Sequence, residues 1–359
     1  MPPRLTALAT ALPPHLVRQE QVRAAAAAVF DRLLARDDGR LLAVFDSTGI
    51  EERHFCVPLE WFASPRGFAE TNACYVEKGL ELAAAAVRKL LEQARLGPQD
   101  IDHVVFVSST GVATPSLDAR LANRLPLRGD VTRTPIFGLG CAGGAAGLAR
   151  ARDLALAHPD SRVLLLALEL CSLTFQRCDL DLRNFVATSL FSDGAAAALV
   201  CGAEVDDAGD GRPLELLAAR STLWPDTLDV MGWDVDGNGL HVVFSRDIPA
   251  LARERARPSL EGFLADHGLS LAGLDHLIAH PGGPKVLAAY AEALDLPSET
   301  FRHSREVLRL CGNMSSPTCL FVLEHTLANG GIGPGETAVL TALGPGFASE
   351  LVLMRGATA

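Results

Sequence analysis

Residues Leu96-Gly-Pro-Gln-Asp-Ile-Asp-His-Val-Val-Phe106 return in altered form as Leu269-Ser-Leu-Ala-Gly-Leu-Asp-His-Leu-Ile-Ala279. From 96 to 269 the offset is 173 residues, and each copy follows a stretch of helix formers and runs into an apolar strand. Two other features keep this offset. Cys141 maps into Gly312-Asn313-Met314, and the apolar run 163–168 maps beside 336–341. A short Asp-His-apolar pattern can recur by chance in an α/β protein. Three features on one offset argue for duplication instead, with two βα halves packed about a pseudo-twofold axis and both loops at one central seam. The expected halves are residues 1–212 and 213–359.

The rest of the chain alternates in the same α/β manner. Residues 103–109 (HVVFVSS) and 162–168 (RVLLLAL) read as buried strands because they are almost continuously apolar. Residues 20–36, 73–95 and 142–157 are rich in Ala, Leu, Arg and Glu and read as helices. At 359 residues, with 48% hydrophobic and 21% charged residues, the chain is long enough for two halves and is not a disordered one.

The formal net charge of −11 argues against a nucleic-acid partner. A local basic mouth on an acidic surface can still receive an anionic small substrate. No apolar run approaches the roughly 20 residues of a membrane span. Residues 1–14 end in Pro13-Pro14 without a small-residue cleavage pattern, so no signal peptide is read there. The eight cysteines are too sparse for a disulfide framework and form neither a C-x-x-C pair nor a zinc-type spacing. The setting expected from this is reducing and cytoplasmic, with free thiols and no metal.

Gly138-Leu-Gly140-Cys-Ala-Gly143 matches the G-x-G-x-x-G dinucleotide fingerprint between a strand and a helix. The match is weak. It lies deep in the chain, and Asp160, about 20 residues on, precedes the next strand rather than ending it. The alternative is a nucleophile elbow. Cys141 sits among glycines at the start of a helix of small residues, where the free amides and partial positive charge favour a thiolate. Taken alone, such a cysteine is as readily a packed small hydrophobe. The second half adds His280 at a strand end before Pro281-Gly-Gly, and Asn313 in Gly312-Asn-Met-Ser-Ser316 at another helix start. Nucleophile, base and amide donor are then all present.

With these motifs the chain resembles a type III polyketide synthase of the chalcone and stilbene synthase family over nearly its whole length. The resemblance is carried by Gly138-Leu-Gly-Cys141-Ala-Gly-Gly, Leu190-Phe191-Ser-Asp193-Gly194, Met231-Gly-Trp-Asp234, Phe244-Ser-Arg-Asp-Ile-Pro249, His280-Pro-Gly-Gly, Gly312-Asn-Met-Ser-Ser316 and Gly344-Pro-Gly-Phe347. It implies a thiolase-like five-layered αβαβα fold of two duplicated halves, a homodimer, and a triad of Cys141, His280 and Asn313. Cys141 would carry the starter and the growing chain as a thioester. His280 would support the thiolate. His280 and Asn313 together would stabilise the enolate left when malonyl-CoA loses CO2. The substrates implied are acyl-CoA and malonyl-CoA, with no separate cofactor.

Further positions follow from the same resemblance. Phe191 matches an aromatic gatekeeper, and its partner gatekeeper position is the smaller Val242. Trp233 stands where chalcone synthases have glycine, closing part of the aromatic starter's chamber. Cys171 and Thr174 fall on the chamber-lining segment, although a packed thiol also explains Cys171. Gly344, Pro345, Gly346 and Phe347 are expected at the substrate cavity. Thr114 occupies the position of the residue that reaches into the partner's cavity. Of the basic residues expected at the CoA mouth, only Arg40 keeps its register; Ala43 and Ser47 hold two others, with Arg53 and Lys285 as possible substitutes. The motifs look closest to bacterial alkylpyrone and alkylresorcinol synthases. The expected starter is therefore a medium- to long-chain fatty acyl group. The alternatives are a malonyl-CoA-primed tetrahydroxynaphthalene synthase and a ketoacyl synthase III-like enzyme performing a single condensation.

Overall fold

The structure, a computed structural model, describes residues 1–36, 40–206 and 213–358. The first half carries strands β1 (Arg4–Ala11), β2 (His15–Arg18), β3 (Glu52–Phe55), β4 (His103–Val107), β5 (Thr132–Ile136), β6 (Arg162–Leu170) and β7 (Asp193–Cys201). Its helices are α1 (Gln19–Val29), α2 (Asp31–Leu34), α3 (Ala43–Ser47), α4 (Phe68–Ala94), α5 (Leu117–Arg124), α6 (Gly143–Ala157) and α7 (Leu182–Leu190). The second half carries β8 (Leu214–Leu223), β9 (Met231–Asp236), β10 (Gly239–Phe244), β11 (His276–Ala279), β12 (Thr337–Gly344) and β13 (Ala348–Gly356). Its helices are α8 (Ile248–Ala265), α9 (Pro284–Leu294), α10 (Arg302–Cys311) and α11 (Thr318–Ala328). The expected boundary between residues 212 and 213 adjoins 207–212, which lie outside the described residues.

Nine strands form one ladder in the order β11-β12-β13-β8-β1-β7-β6-β4-β5. At its middle, β1 meets β8 over only two pairs, Arg4 with Glu215 and Leu5 with Leu214. Moving outward from that join, each half repeats the same pattern. β1–β7 and β8–β13 are antiparallel, as are β7–β6 and β13–β12, whereas β6–β4 and β12–β11 are parallel. β4 and β11 both begin at the histidine of the repeated Asp-His pair. The 173-residue offset is therefore a structural equivalence.

The strands are buried on both faces, so their residues alternate between two cores. Val163, Leu165 and Ala167 face inward onto α6 and α11, together with Leu340, Val352 and Met354 of the second half. Leu164, Leu166 and Leu168 face outward onto α4 and α5. On the other side Val339, Leu351 and Leu353 meet α8 and α9. Helix, sheet, helix pair, sheet and helix give the five layers implied by the resemblance. No helix among the described residues is long and apolar enough to cross a membrane.

The central layer requires small side chains. A Cβ on Gly144 would lie 2.2 Å from the Ser316 carbonyl oxygen and 2.7 Å from Cys319 Sγ. One on Gly147 would lie 2.6 Å from the Leu165 side chain. The expected single helix over 20–36 is in fact two. The chain leaves α1 at Phe30, which is fully buried with its ring edge-on to Phe175 and Phe185. This aromatic cluster, with Phe45 and Phe55, forms a separate cap over the sheet end.

Gly144→Val should destabilise the protein by about 1–3 kcal/mol through overpacking of the central layer. Gly129→Ala, at a glycine with no atom within 4 Å of the added carbon, should stay within about 0.5 kcal/mol. Denaturant melts of both variants compare them directly.

Candidate active site

Cys141 lies on the single 3-10 turn Gly140–Ala142 that leads into α6. Gly140 has φ +46°, and a side chain there would meet the Pro345 ring at 2.9 Å, so only glycine fits. The amides of Gly138 and Gly140 both donate to Ser109 Oγ at 3.2 Å. Ser109 N in turn donates to Glu169 Oε2 at 2.8 Å. Glu169, fully buried on β6, also accepts from Thr110 Oγ1 at 2.8 Å and, from the second half, Ser316 Oγ at 2.9 Å. Burial pushes this carboxyl up to about 7, although the hydrogen bonds pull the other way.

Asn313 is fixed from both ends. Its backbone amide donates to the Leu190 carbonyl at 2.9 Å, and its backbone bridges Phe191. Its Oδ1 accepts from Ser315 N at 2.8 Å, and Nδ2 donates to the Gly282 carbonyl at 3.2 Å. Ser315 and Asn313 present hydrogen-bonding side chains to the Cys141 thiol. Burial pushes that thiol up to about 11, while those two contacts lower it.

His280 follows β11, where its amide donates to the Thr341 carbonyl at 2.8 Å. Its ring is buried against Gly282, and neither ring nitrogen has a hydrogen-bond partner among the described residues. Desolvation pushes it down to about 3, so the imidazole is neutral. The structure thus brings Cys141 and Asn313 into contact, and Asn313 and His280 meet at Gly282. Thiol and imidazole are both uncharged in this closed site.

Two hollows flank the site. A cavity of about 360 Å³ is lined by Cys171, Thr174, Phe191 and Val242 and runs on beneath α1 past Phe55 and Phe62. Its walls are overwhelmingly apolar. A cleft of about 520 Å³ lies on the other side, walled by Leu190, Gly282 and Gly283, with Arg183, Arg246 and Lys285 along it. Leu190 faces the cleft and Phe191 the cavity, so one residue's width divides them. Trp233 pairs with Val242 across the β9–β10 hairpin, and its ring centre lies 6.1 Å from that of Phe191.

Other expected positions fall elsewhere. Arg40 is exposed on a turn before α3 and does not line the cleft, whose cations come from later in the chain. Arg53 is buried behind Phe191, donating Nη1 to the Thr188 and Phe191 carbonyls at 2.6 and 3.0 Å, so it braces the gate and not the mouth. Gly344 and Pro345 pack on the Cys141 turn: a Cβ on Gly344 would lie 2.5 Å from the Ala142 Cβ. Phe347 turns away and packs at a tilt against Trp224, with centroids 5.4 Å apart, and the Gly346 carbonyl accepts from Thr227 Oγ1 at 2.8 Å. Neither lines the cavity. Thr114 is exposed on the loop after β4 and lines neither hollow of its own chain. Ser109, Glu169 and Ser315 escaped the sequence reading. A charged residue inside the otherwise apolar β6 was the available signal for Glu169.

Comparison with known proteins agrees with this architecture. Residues 2–204 match the chalcone and stilbene synthases N-terminal domain, and residues 215–358 match the C-terminal domain. The 1,3,6,8-tetrahydroxynaphthalene synthase of Streptomyces peucetius subsp. caesius is 44% identical over 353 residues, covering 98% of this chain and 92% of the relative. The phloroglucinol synthase of Pseudomonas fluorescens is 32% identical and covers 86% of each chain. The crystal structure of 1,3,6,8-tetrahydroxynaphthalene synthase from Streptomyces coelicolor A3(2), a bacterial type III polyketide synthase, superposes with a TM-score of 0.91 at 31% identity, covering 99% of this chain and 100% of that one. With both domain types matched end to end and the five layers shared, the chain belongs to the chalcone and stilbene synthase family and is a type III polyketide synthase.

Proposed function

We propose that this enzyme primes with a medium- to long-chain fatty acyl-CoA, extends it with malonyl-CoA and cyclises the product to an alkylpyrone or alkylresorcinol. The reading is carried by the cavity behind Phe191, which continues beneath α1 and is walled mainly by apolar side chains such as Val22, Val29, Phe55, Phe62 and Phe175, with Arg53, Glu60 and Arg177 as its charged lining residues. Val242, the smaller gatekeeper, leaves that passage wide. Each methylene buried there contributes about 0.8 kcal/mol, so kcat/KM rises with chain length until the cavity is filled.

Cys141 is the nucleophile. Its sulfur attacks the starter thioester as neutral His280 takes the thiol proton, which then passes to the departing CoA sulfur. Malonyl-CoA binds next with its thioester carbonyl toward His280 and Asn313. Because Asn313 Oδ1 is occupied by Ser315 N, its amide presents Nδ2 as a donor. Loss of CO2 leaves an enolate held by Asn313 Nδ2 and by the N–H tautomer of His280; its carbon attacks the Cys141 thioester carbonyl, the carbon–sulfur bond breaks, Cys141 leaves as the thiolate, and the extended chain stays on CoA. Arg246 and Lys285 meet the CoA phosphates at the cleft, beside Arg183, which is paired with Asp181. No cofactor besides the CoA thioesters takes part. The enzyme works in the cytoplasm as a homodimer. That assembly is supported by the exposed edge strand β5 and by exposed Val112 and Phe137 beside it.

A second reading, priming by malonyl-CoA itself, is favoured by Cys171 on the cavity wall and by the name of the 44% identical relative. Purified enzyme given malonyl-CoA and acyl-CoAs of increasing length, with products read by mass spectrometry, separates the two. Alkylated pyrones or resorcinols are expected. Turnover confined to malonyl-CoA alone, giving a naphthalene product, would overturn the fatty-acyl assignment. Ala187→Phe, a plug in the cavity wall, should cut turnover of long starters at least tenfold while sparing short ones.

The nucleophile assignment has its own check. Ser315→Ala removes a hydrogen bond that lowers the Cys141 thiol. A bond of about 1 kcal/mol corresponds to roughly fivefold slower alkylation of Cys141 by iodoacetamide at pH 8, followed by mass spectrometry.

A further inference from the structure

The β9–β10 hairpin stands outside the nine-stranded sheet and pairs only with itself. A lone hairpin is marginal and needs docking to hold its shape. Along β10, Val242 faces the cavity, so its neighbour His241 points to the opposite face. There Nδ1 lies 3.3 Å from Asp179 Oδ2 and Nε2 lies 3.0 Å from Asp236 Oδ1. Asp236 belongs to the hairpin turn, where it accepts from Asn238 N at 2.7 Å. Asp179 belongs to the segment before α7, which is braced by Asn184 Nδ2 donating to the Gln176 and Asp179 carbonyls, both at 2.7 Å. α7 leads directly into Phe191. His241 therefore ties the hairpin, with cavity-lining Val242 and with Trp233 next to Phe191, to the segment that leads into Phe191.

A neutral imidazole has one N–H and one lone pair, so it can satisfy only one of the two carboxylates. Both contacts are attractive only for the imidazolium. We propose that His241 is a positioning residue: protonated, it clasps the hairpin to the segment 176–181 and holds Trp233 and Val242 in register with Phe191, setting the width of the passage. The proposal rests on the reading that this passage receives the starter.

The charged groups around the ring are Asp179, Asp236, the cross-strand Asp234, and Arg183, which is itself paired with Asp181. Burial lowers the imidazole, but the hydrogen bonds it makes to Asp179 and Asp236 together carry it above its ordinary value of 6.5. The clasp is therefore fully made below about 6.5 and is lost as pH rises through the raised value.

The test compares wild type with His241→Gln and with Asp236→Asn, which keeps the turn hydrogen bond but removes a charge. Steady-state kinetics from pH 5.5 to 9 are run with the primer the enzyme uses. In wild type the primer KM is expected to rise about three- to tenfold across this range at nearly constant kcat. In His241→Gln it is high throughout, and in Asp236→Asn the rise moves to lower pH. Malonyl-CoA alone serves as primer should fatty acyl-CoAs fail, so failure of the starter reading leaves the comparison intact. Acrylamide quenching of tryptophan emission gives a readout free of turnover: wild type should become more quenchable as pH rises, and His241→Gln should be quenchable at every pH. Matching pH profiles in wild type and His241→Gln, or a loss of kcat at unchanged KM, would overturn the proposal.

Discussion

The hydrogen bonds to Glu169 hold the site together. A carboxyl group buried this deeply is costly unless its oxygens are satisfied. Here Ser109 and Thr110 of the first half and Ser316 of the second supply the donors. Ser109 is also the acceptor for the amides of Gly138 and Gly140. One side chain thus fixes the turn carrying Cys141 and the segment carrying Asn313 and Ser315, although these come from different halves of a duplicated fold. With its carboxyl near 7, Glu169 also adds a titrating charge that acts on the thiol. Its negative form opposes formation of a thiolate.

The features legible in the sequence are those that a local constraint imposes. The repeat is visible because Asp-His before an apolar strand serves the same junction twice, ahead of β4 and β11. Cys141 and Asn313 are visible because their turns need glycine: Gly140 at φ +46° and Gly312 at φ +70°. β1 and β8 are not visible. Their sequences, RLTALATA and LELLAARSTL, are rich in helix formers, and only pairing at the centre of the ladder makes them strands. Arg40 keeps its register yet misses the cleft, because the cations that line it come from elements far away in sequence. Ser315 is similar: at φ +58° it contacts the thiol through a fold-dependent approach that no spacing rule encodes.

The two hollows differ in the way their expected contents differ. The cleft carries three cations, Arg183, Arg246 and Lys285, against one carboxylate, Asp181, on a chain whose net charge is −11, so its local charge opposes the global one and favours an anion. The cavity beyond Phe191 is mainly apolar. Phe191 divides them without being free to wander, because Arg53 Nη1 is bonded to its carbonyl and its backbone bridges Asn313. A substrate with a charged handle and an apolar tail meets each environment in turn as it crosses one side chain.

Duplication explains why this asymmetry is built on a symmetric frame. α6 and α11 occupy equivalent places in the central layer, and the close approach of Gly144 to the Ser316 carbonyl sets their starts against each other. The start of one helix supplies the thiol, and the equivalent segment of the other supplies the carboxamide and the hydroxyl that touch it. The reacting groups are therefore placed by packing between halves and not by any one loop. A side chain added at the helix crossing disturbs the chemistry without touching a reacting atom, because it moves the two contributions apart together with the layers that carry them.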